Sequence, residues 1–191
     1  MLSVLLIDED PDRAALLESS LVELGYRVMA SVRPGADLYA VCERYRPDIV
    51  VVDMDSPDRD TLEHMRSISD RNPRPIVMFT NDDDSSTIQR AVLSGVSAYV
   101  VAELNPQRVR PVFDAAIAHF EHYQAIRSEL EQAKTSLAER KLIEQAKGIL
   151  MKKKQMDESR AYRVMQKMAM DRNMRLVDLA RSIIAAAELL T

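Results

Sequence analysis

Three aspartates follow apolar runs that a parallel sheet would place side by side. Asp8 and Asp10 come just after the run V-L-L-I, and Asp53 follows the run I-V-V-V. Converging carboxylates repel one another and favour a hard divalent cation such as Mg²⁺, which can also neutralise a phosphoryl group. We therefore expect Asp8, Asp10 and Asp53 to hold Mg²⁺, with Asp53 as the candidate phospho-acceptor. The alternative is that these acids are loop residues or helix caps, and Asp10 before Pro11 suits an N-cap.

The elements that must position these acids alternate between strand and helix patterns. Short β-branched runs are separated by helical repeats through the first 105 or so residues. This alternation predicts βαβ units and a flavodoxin-like parallel sheet of order 2-1-3-4-5. Ligands bind such a sheet beyond the carboxyl ends of strands one and three, where the acids stand. The expected strands are Ser3–Ile7, Arg27–Val32, Asp48–Val52, Pro75–Thr80 and Ala98–Val101.

Charge divides the chain into two parts. The formal charge is −4 overall, but residues 1–133 carry −10 and no lysine, whereas residues 134–191 carry +6 and all seven lysines. The split indicates an acidic domain joined to a tail that meets an anionic partner. The plain alternative is chance variation between solvated helix faces.

Composition limits the class of protein. At 191 residues and 47% apolar content, the chain can form one moderate domain and a smaller one. No apolar stretch approaches the roughly 20 residues of a membrane span, and no signal peptide is visible. The lone Cys42 fits a reducing cytoplasm and the role of a small apolar filler. No catalytic triad or nucleotide loop is visible, so we expect a cytoplasmic protein that is not an enzyme and binds no membrane.

The chain from residue 112 onward reads as helix. It contains no proline and only Gly148. An apolar stripe with spacings of three and four residues predicts a short coiled-coil seam and a homodimer, because a lone projecting helix would leave this stripe exposed to water. The alternative is one amphipathic helix packed on its own domain. The seam comprises Tyr123, Ile126, Leu130, Ala133 and Leu137.

Two further helices are expected near Asp157–Asp171 and Leu176–Leu190, which would complete a small three-helix unit. Basic residues on short helices can contact phosphates, and Gly148 inside a helix suggests close approach by a partner helix or an RNA backbone. Tyr162 is expected on the apolar stripe of its helix, so RNA bases would stack on the guanidinium planes of arginines rather than on an aromatic ring.

Five residues lie at strand ends or in the last strand: Asp8, Asp10, Asp53, Thr80 and Tyr99. On these residues the front part resembles a response-regulator receiver domain. The resemblance implies that the acidic pair binds Mg²⁺, that Asp53 accepts phosphate, and that Thr80 and Tyr99 act as the switch. Receivers also have a lysine after the fifth strand. Here Ala102 and Glu103 stand at that place, which predicts a weakened switch and a domain that serves for docking.

Twelve residues of the tail form one spaced motif: Ala146, Lys147, Gly148, Leu150, Met151, Ala161, Tyr162, Met165, Ala169, Met170, Leu176 and Ala180. On these residues the tail resembles the ANTAR domain, an RNA-binding module of bacterial antiterminators. With the segments S-P-D-R-D, R-P-I-V-M-F-T and G-V-S-A-Y of the front part, the chain as a whole is similar to the NasT-type nitrate and nitrite regulators of the AmiR/NasT family. The resemblance implies antitermination through paired hairpins in leader RNA and a ligand-sensing partner protein that sequesters the regulator.

The implied domain division is a receiver-like domain at 1–105, a coiled-coil linker at 106–137 and an ANTAR domain at 138–191. The alternatives are a phosphorylation-driven regulator acting on DNA and a switch acting only through protein contacts. The expected RNA contacts are Arg140, Lys141, Lys147, Gly148, Lys152, Arg163, Lys167, Arg172 and Arg175.

Overall fold

The computed structural model describes residues 1–102, 104 and 106–188, with only the backbone of residues 106 and 107. It forms two compact units, Met1–Gln124 and Ala125–Thr191. Three expectations lie outside the described residues: Glu103 at the place of the receiver lysine, Asn105 as the cap of the following helix, and a helix end at Leu190.

The first unit is a parallel sheet with the order β2-β1-β3-β4-β5, which confirms the flavodoxin-like prediction. Each observed strand begins and ends within one residue of the range expected from the sequence. The elements are β1 (Ser3–Asp8), α1 (Pro11–Glu23), β2 (Arg27–Val32), α2 (Leu38–Tyr45), β3 (Ile49–Asp53), α3 (Arg59–Arg71), β4 (Ile76–Thr80), α4 (Ser85–Leu93) and β5 (Ala98–Val101).

Strands β1, β3 and β4 are buried along their whole length, because helices cover both faces of the sheet. One face packs against α1, and the other packs against α2, α3 and α4. Cys42 lies in the second of these layers, and burial raises the pKa of its thiol to about 11. A protonated, enclosed thiol fits the expected role of apolar filler.

The next helix, α5 (Pro106–Lys154), contributes to the core of the first unit. Val109, Phe113 and Ala116 are buried, and the Phe113 ring lies 5.2 Å from the ring of Tyr26. The first unit therefore extends to Gln124, beyond the boundary expected at residue 105. Residues taken from the sequence as the start of a linker instead close one face of the sheet.

The second unit is a three-helix arrangement, as expected. The end of α5 packs with α6 (Glu158–Asp171) and α7 (Leu176–Glu188) around Ala146, Met165 and Ala180. Within the part of the chain that the structure describes, no helix has the length and apolar character needed to cross a bilayer.

Aspartates begin five of the described helices. Asp10, Asp37, Asp58, Asp84 and Asp157 are the N-caps of α1, α2, α3, α4 and α6, and each carboxylate accepts a backbone N–H of the first turn. The pKa of Asp58 lies below its ordinary value, mainly because Thr61 donates a hydrogen bond to its carboxylate. The pKa of Asp84 is also lowered, mainly because the Ser86 hydroxyl donates to its carboxylate. Five of the 30 acidic residues thus have a structural role as caps.

Candidate functional site

Asp8 and Asp53 come together as the sequence predicts. They are the last residues of β1 and β3, and their Cα atoms are partners in the parallel register. Asp8 is 2% exposed and Asp53 is 5% exposed. Two neighbouring buried carboxylates require compensating positive charge.

Asp10 serves as a helix cap. Its Oδ1 accepts the backbone N–H groups of Asp12 at 2.9 Å and Arg13 at 3.3 Å, and these bonds, the one from Arg13 first, lower the pKa of Asp10. The alternative considered from the sequence is therefore the role that the structure gives it. Among the described residues, no group of three or more His, Cys, Asp or Glu side chains is arranged to hold a metal ion.

Arg13 supplies the positive charge in this pocket. Its Nη2 donates to Asp8 Oδ1 at 2.9 Å, its Nε donates to Asp8 Oδ2 at 3.1 Å, and its Nη2 also reaches the backbone oxygen of Asp53 at 3.4 Å. Carboxylate oxygens of Glu9, Asp53 and Asp55 lie 3.8–3.9 Å from the guanidinium. The bonds to Asp8 are the largest cause of a raised pKa at Arg13. Sequence reasoning missed this residue, because Arg13 reads as an ordinary surface charge on α1 until the direction of its side chain is known.

Glu9 and Asp55 join the loops around the pocket. The backbone N–H of Asp55 donates to Glu9 Oε1 at 3.0 Å, which joins the loop after β1 to the loop after β3. Asn81, just after β4, donates its backbone N–H to the Asp55 carbonyl at 3.2 Å. The pocket mouth is thus held by hydrogen bonds among three loops.

The two expected switch residues are both engaged. The Thr80 hydroxyl is buried and donates to the backbone oxygen of Asp55 at 2.8 Å. The Tyr99 hydroxyl donates to the backbone oxygen of Asp82 at 2.9 Å, and burial is the main cause of its raised pKa. Ala102 follows β5 and offers no charge.

Lys147, expected as an RNA contact, lies inside the second unit. Its side chain is 9% exposed, and its Nζ lies 2.6 Å from Glu144 Oε2 and 2.7 Å from Glu158 Oε1. These bonds, the one to Glu144 first, raise the pKa of Lys147. The ammonium therefore joins α5 to the start of α6.

Gly148 has space around it. A Cβ built on this residue would meet no atom within 4 Å outside its own helical backbone. Packing among the described residues does not explain the glycine, so close approach by a partner helix or an RNA backbone stays a prediction.

The other expected RNA contacts lie on the surface of the second unit. Arg175 pairs with Glu139, and Arg163 Nε donates to the backbone oxygen of Ser159 at 3.3 Å. The remaining members form no ion pair with another described residue, so their charges face solvent. They are Arg140, Lys141, Lys152, Lys167 and Arg172.

Tyr162 differs from its expected place on the apolar stripe. It is 39% exposed, and Met170, two turns further along α6, is 79% exposed. Gln166 lies between them on the same face, and Asn173 follows in the turn before α7. A shallow groove lined in part by Gln166, Met170 and Asn173 runs beside this face. Only the spacing Tyr162, Gln166, Met170 could have indicated the surface in advance.

The expected dimer seam is exposed. The side chains of Tyr123, Ile126, Leu130 and Leu137 are each more than half accessible, and Ala133 is also exposed.

Comparisons with known proteins match a different family model to each of the two compact units. The response regulator receiver domain model matches residues 4–113, and the ANTAR domain model matches residues 131–184. Receiver domains commonly bind Mg²⁺ for phosphorylation. As the side chains stand here, Arg13 occupies the acidic pocket and the Asp10 carboxylate caps α1, so the arrangement does not fit a bound Mg²⁺.

Individual relatives show how far each likeness extends. The chain is 29% identical over 183 residues to the transcriptional regulatory protein PdtaR of Mycobacterium tuberculosis, which covers 94% of this chain and 88% of PdtaR. It is 31% identical over 135 residues to protein-glutamate methylesterase/protein-glutamine glutaminase 2 of Methanospirillum hungatei, covering 69% of this chain but only 37% of that enzyme, and this match involves the receiver domain alone.

Among solved structures, the signal receiver domain of a modulated diguanylate cyclase from Desulfovibrio desulfuricans matches with a TM-score of 0.55 and 25% identity, covering 64% of this chain and 98% of that domain. The sheet order, the paired strand-end aspartates and both domain matches lead to one assignment. The chain belongs to the response regulator receiver family and carries an ANTAR domain in its second unit.

Proposed function

We propose that the chain is an RNA-binding transcription antitermination regulator whose second unit binds hairpin loops in leader RNA. The observation that carries this proposal is the surface of α6 and the following turn, where exposed cations adjoin Tyr162, Gln166, Met170 and Asn173. ANTAR domains bind RNA, which supports the same assignment.

Each part of that surface has a role suited to single-stranded loops. Loops present unstacked bases, which proteins stack on aromatic rings and bind at their edges, whereas an RNA duplex is recognised mainly by shape. Tyr162 offers a ring for stacking, and Gln166 and Asn173 offer amides for base edges. Arg163, Lys167 and Arg172 provide phosphate contacts, which make affinity depend on salt. Because the side chain of Lys147 is buried, its role in this proposal is structural.

The exposed seam supports a homodimer. A stripe of large apolar side chains on a long helix buries its surface by pairing with a second copy. Two ANTAR domains in one dimer would bind two hairpins, and tethering raises apparent affinity without any new contact. The seam residues of this proposal are Tyr123, Ile126, Leu130, Ala133 and Leu137.

Control comes from a partner protein in this proposal. The likeness to NasT-type regulators supports a role in nitrate and nitrite assimilation and a ligand-sensing protein that sequesters the regulator.

Antitermination is tested by transcribing a terminator–reporter template in vitro. Read-through of the terminator should rise when the regulator is added and fall when the sensor protein is added as well. Read-through that ignores the regulator would contradict the proposal.

RNA binding is tested with the full chain. A pool of two-hairpin RNAs with randomised loops is titrated in mobility-shift assays at several salt concentrations, beside duplex DNA of matched sequence. We expect the protein to retain RNA selectively.

The double substitution Arg163→Gln and Lys167→Gln should lower the affinity for RNA at least tenfold. It should also reduce the slope of the logarithm of the binding constant against the logarithm of the salt concentration, by about 0.7 for each phosphate that the variant no longer neutralises.

The matched control is Arg59→Gln with Arg66→Gln, which removes two exposed arginines from α3 in the first unit. It should leave RNA affinity unchanged. Tighter binding to duplex DNA would instead favour a DNA-acting regulator, and no binding of either nucleic acid in dilute salt would favour a protein-interaction switch. Both outcomes overturn the proposal.

A second candidate is a phosphorylation-driven response regulator. The pairing of Asp8 with Asp53 at the strand ends supports it, with Asp53 as acceptor and Thr80 and Tyr99 as the switch. Incubation with acetyl phosphate and MgCl₂, followed by intact mass measurement, tests this candidate, with Asp53→Asn as the control. A stable phosphorylated form with altered dimerisation would favour it over partner control.

A further inference from the structure

The acidic pocket of the first unit already contains a cation from the chain. Arg13 forms a two-pronged contact with Asp8 and lies within 4 Å of carboxylates from Glu9, Asp53 and Asp55. A planar guanidinium suits this arrangement, because it donates two parallel hydrogen bonds to one carboxylate while its other N–H groups face further acceptors.

The local sequence explains why Arg13 reaches the pocket. Asp10 caps α1 and accepts the Arg13 backbone N–H, which fixes Arg13 in the first helical turn. Helical side chains lean toward the helix N-terminus, so this side chain extends back over the end of β1. The guanidinium is partly shielded, with the side chain 30% exposed.

A divalent cation and this guanidinium would compete for the same oxygen atoms. Mg²⁺ requires near-octahedral oxygen ligands at about 2.0–2.1 Å, and both oxygens of Asp8 accept bonds from Arg13. Binding Mg²⁺ would require Arg13 to leave, and the two cations would then repel each other at close range.

We propose that Arg13 is the resident counter-ion of the receiver pocket and stands in place of the divalent cation. The guanidinium therefore offsets part of the carboxylate charge of the pocket, and the three loops are held together without Mg²⁺. Removal of the guanidinium converts the same carboxylates into a divalent-cation site. This proposal concerns the first unit alone and does not depend on RNA binding.

The test compares the full wild-type chain with Arg13→Gln. Binding of Mn²⁺, a paramagnetic substitute for Mg²⁺, is measured by electron paramagnetic resonance, and thermal unfolding is followed by circular dichroism in EDTA or MgCl₂. We expect the wild type to melt at the same temperature in both buffers. Arg13→Gln should melt lower in EDTA, recover in MgCl₂, and bind Mn²⁺ at least tenfold more tightly than the wild type.

Two further variants control the comparison. Arg59→Gln removes an exposed arginine paired within α3 and should behave like the wild type toward Mn²⁺. Arg13→Lys keeps the charge and should also keep the weak Mn²⁺ binding of the wild type, which decides the matter if Arg13→Gln does not fold. Sub-millimolar Mn²⁺ affinity in the wild type, or no gain of affinity in folded Arg13→Gln, overturns the proposal.

Discussion

Individual cations in the two units are used in opposite ways. In the first unit, Arg13 is held by carboxylates at the end of the sheet. In the second unit, Lys152, Lys167 and Arg172 face solvent and form no ion pair with another described residue. Lys147 is the exception, because two glutamates hold its ammonium within the fold.

This contrast shows that net charge predicts a partner only where the charge is accessible. A cation held between acids acts on structure, most strongly where its removal leaves a buried carboxylate such as Asp8 uncompensated. A cation at the surface acts on binding, because it releases counterions when it meets a phosphate. Three substitutions test the two units separately.

Phe113→Ala should have the largest effect. Removing a fully buried phenylalanine typically lowers the free energy of unfolding by about 3–5 kcal/mol. Since Phe113 packs in the first unit, hydrogen exchange measured by mass spectrometry should rise across β1, β3 and β4 and stay unchanged in α6 and α7. Phe120→Ala, a half-buried residue on the same helix, is the control and should perturb exchange less. Equal loss of protection in both units would contradict the assignment of this helix segment to the first unit.

Lys147→Met should lower the melting temperature of the second unit modestly, because Glu144 and Glu158 stay partly solvated when the ammonium is removed. The substitution keeps an unbranched side chain but leaves Glu144 and Glu158 without the ammonium they share. Thermal unfolding followed by circular dichroism measures the shift. Lys152→Met is the matched control on the same helix, and it should weaken RNA binding with little change in melting. A variant at Lys147 that melts like the wild type yet loses RNA affinity would show that the ammonium contacts RNA.

Gly148→Ala should have the smallest effect and one of opposite sign. Alanine in a helix interior is favoured over glycine by about 1 kcal/mol, and the added Cβ meets no neighbour in the chain. The second unit should therefore become more stable while RNA binding weakens. Chemical denaturation and mobility-shift titration measure the two changes, with Gln145→Ala as the exposed control. Unchanged RNA affinity would remove Gly148 from the interface.

Most of the fold could be predicted from the sequence, because apolar runs between turn residues locate strands reliably when both faces of a sheet are covered. Asp8 and Asp53 were predictable for the same reason, since topology places the ends of strands one and three together. The end of the first unit, expected near residue 105, was harder to predict. Val109 and Phe113 continue a helical pattern whether they face a core or a partner.

The roles of individual cations could not be read from spacing. Arg13 looks like an ordinary surface charge on α1, and only its side-chain direction brings it to Asp8. Lys147 has one partner at helical spacing, Glu144, but its second partner lies across the turn between α5 and α6. Such contacts depend on tertiary packing, which a periodic pattern does not specify.

The aspartate caps have a consequence for how the first unit attracts ions. The pKa values of Asp58 and Asp84 are lowered, so their stabilising effect is complete above the unfolded value of about 3.9 and disappears as the pH falls through the lower folded values. At neutral pH each of these carboxylates is partly screened by the N–H dipoles of the helix that it begins. A long-range field calculated from formal charge alone would therefore overstate the pull of this acidic unit on a basic protein surface.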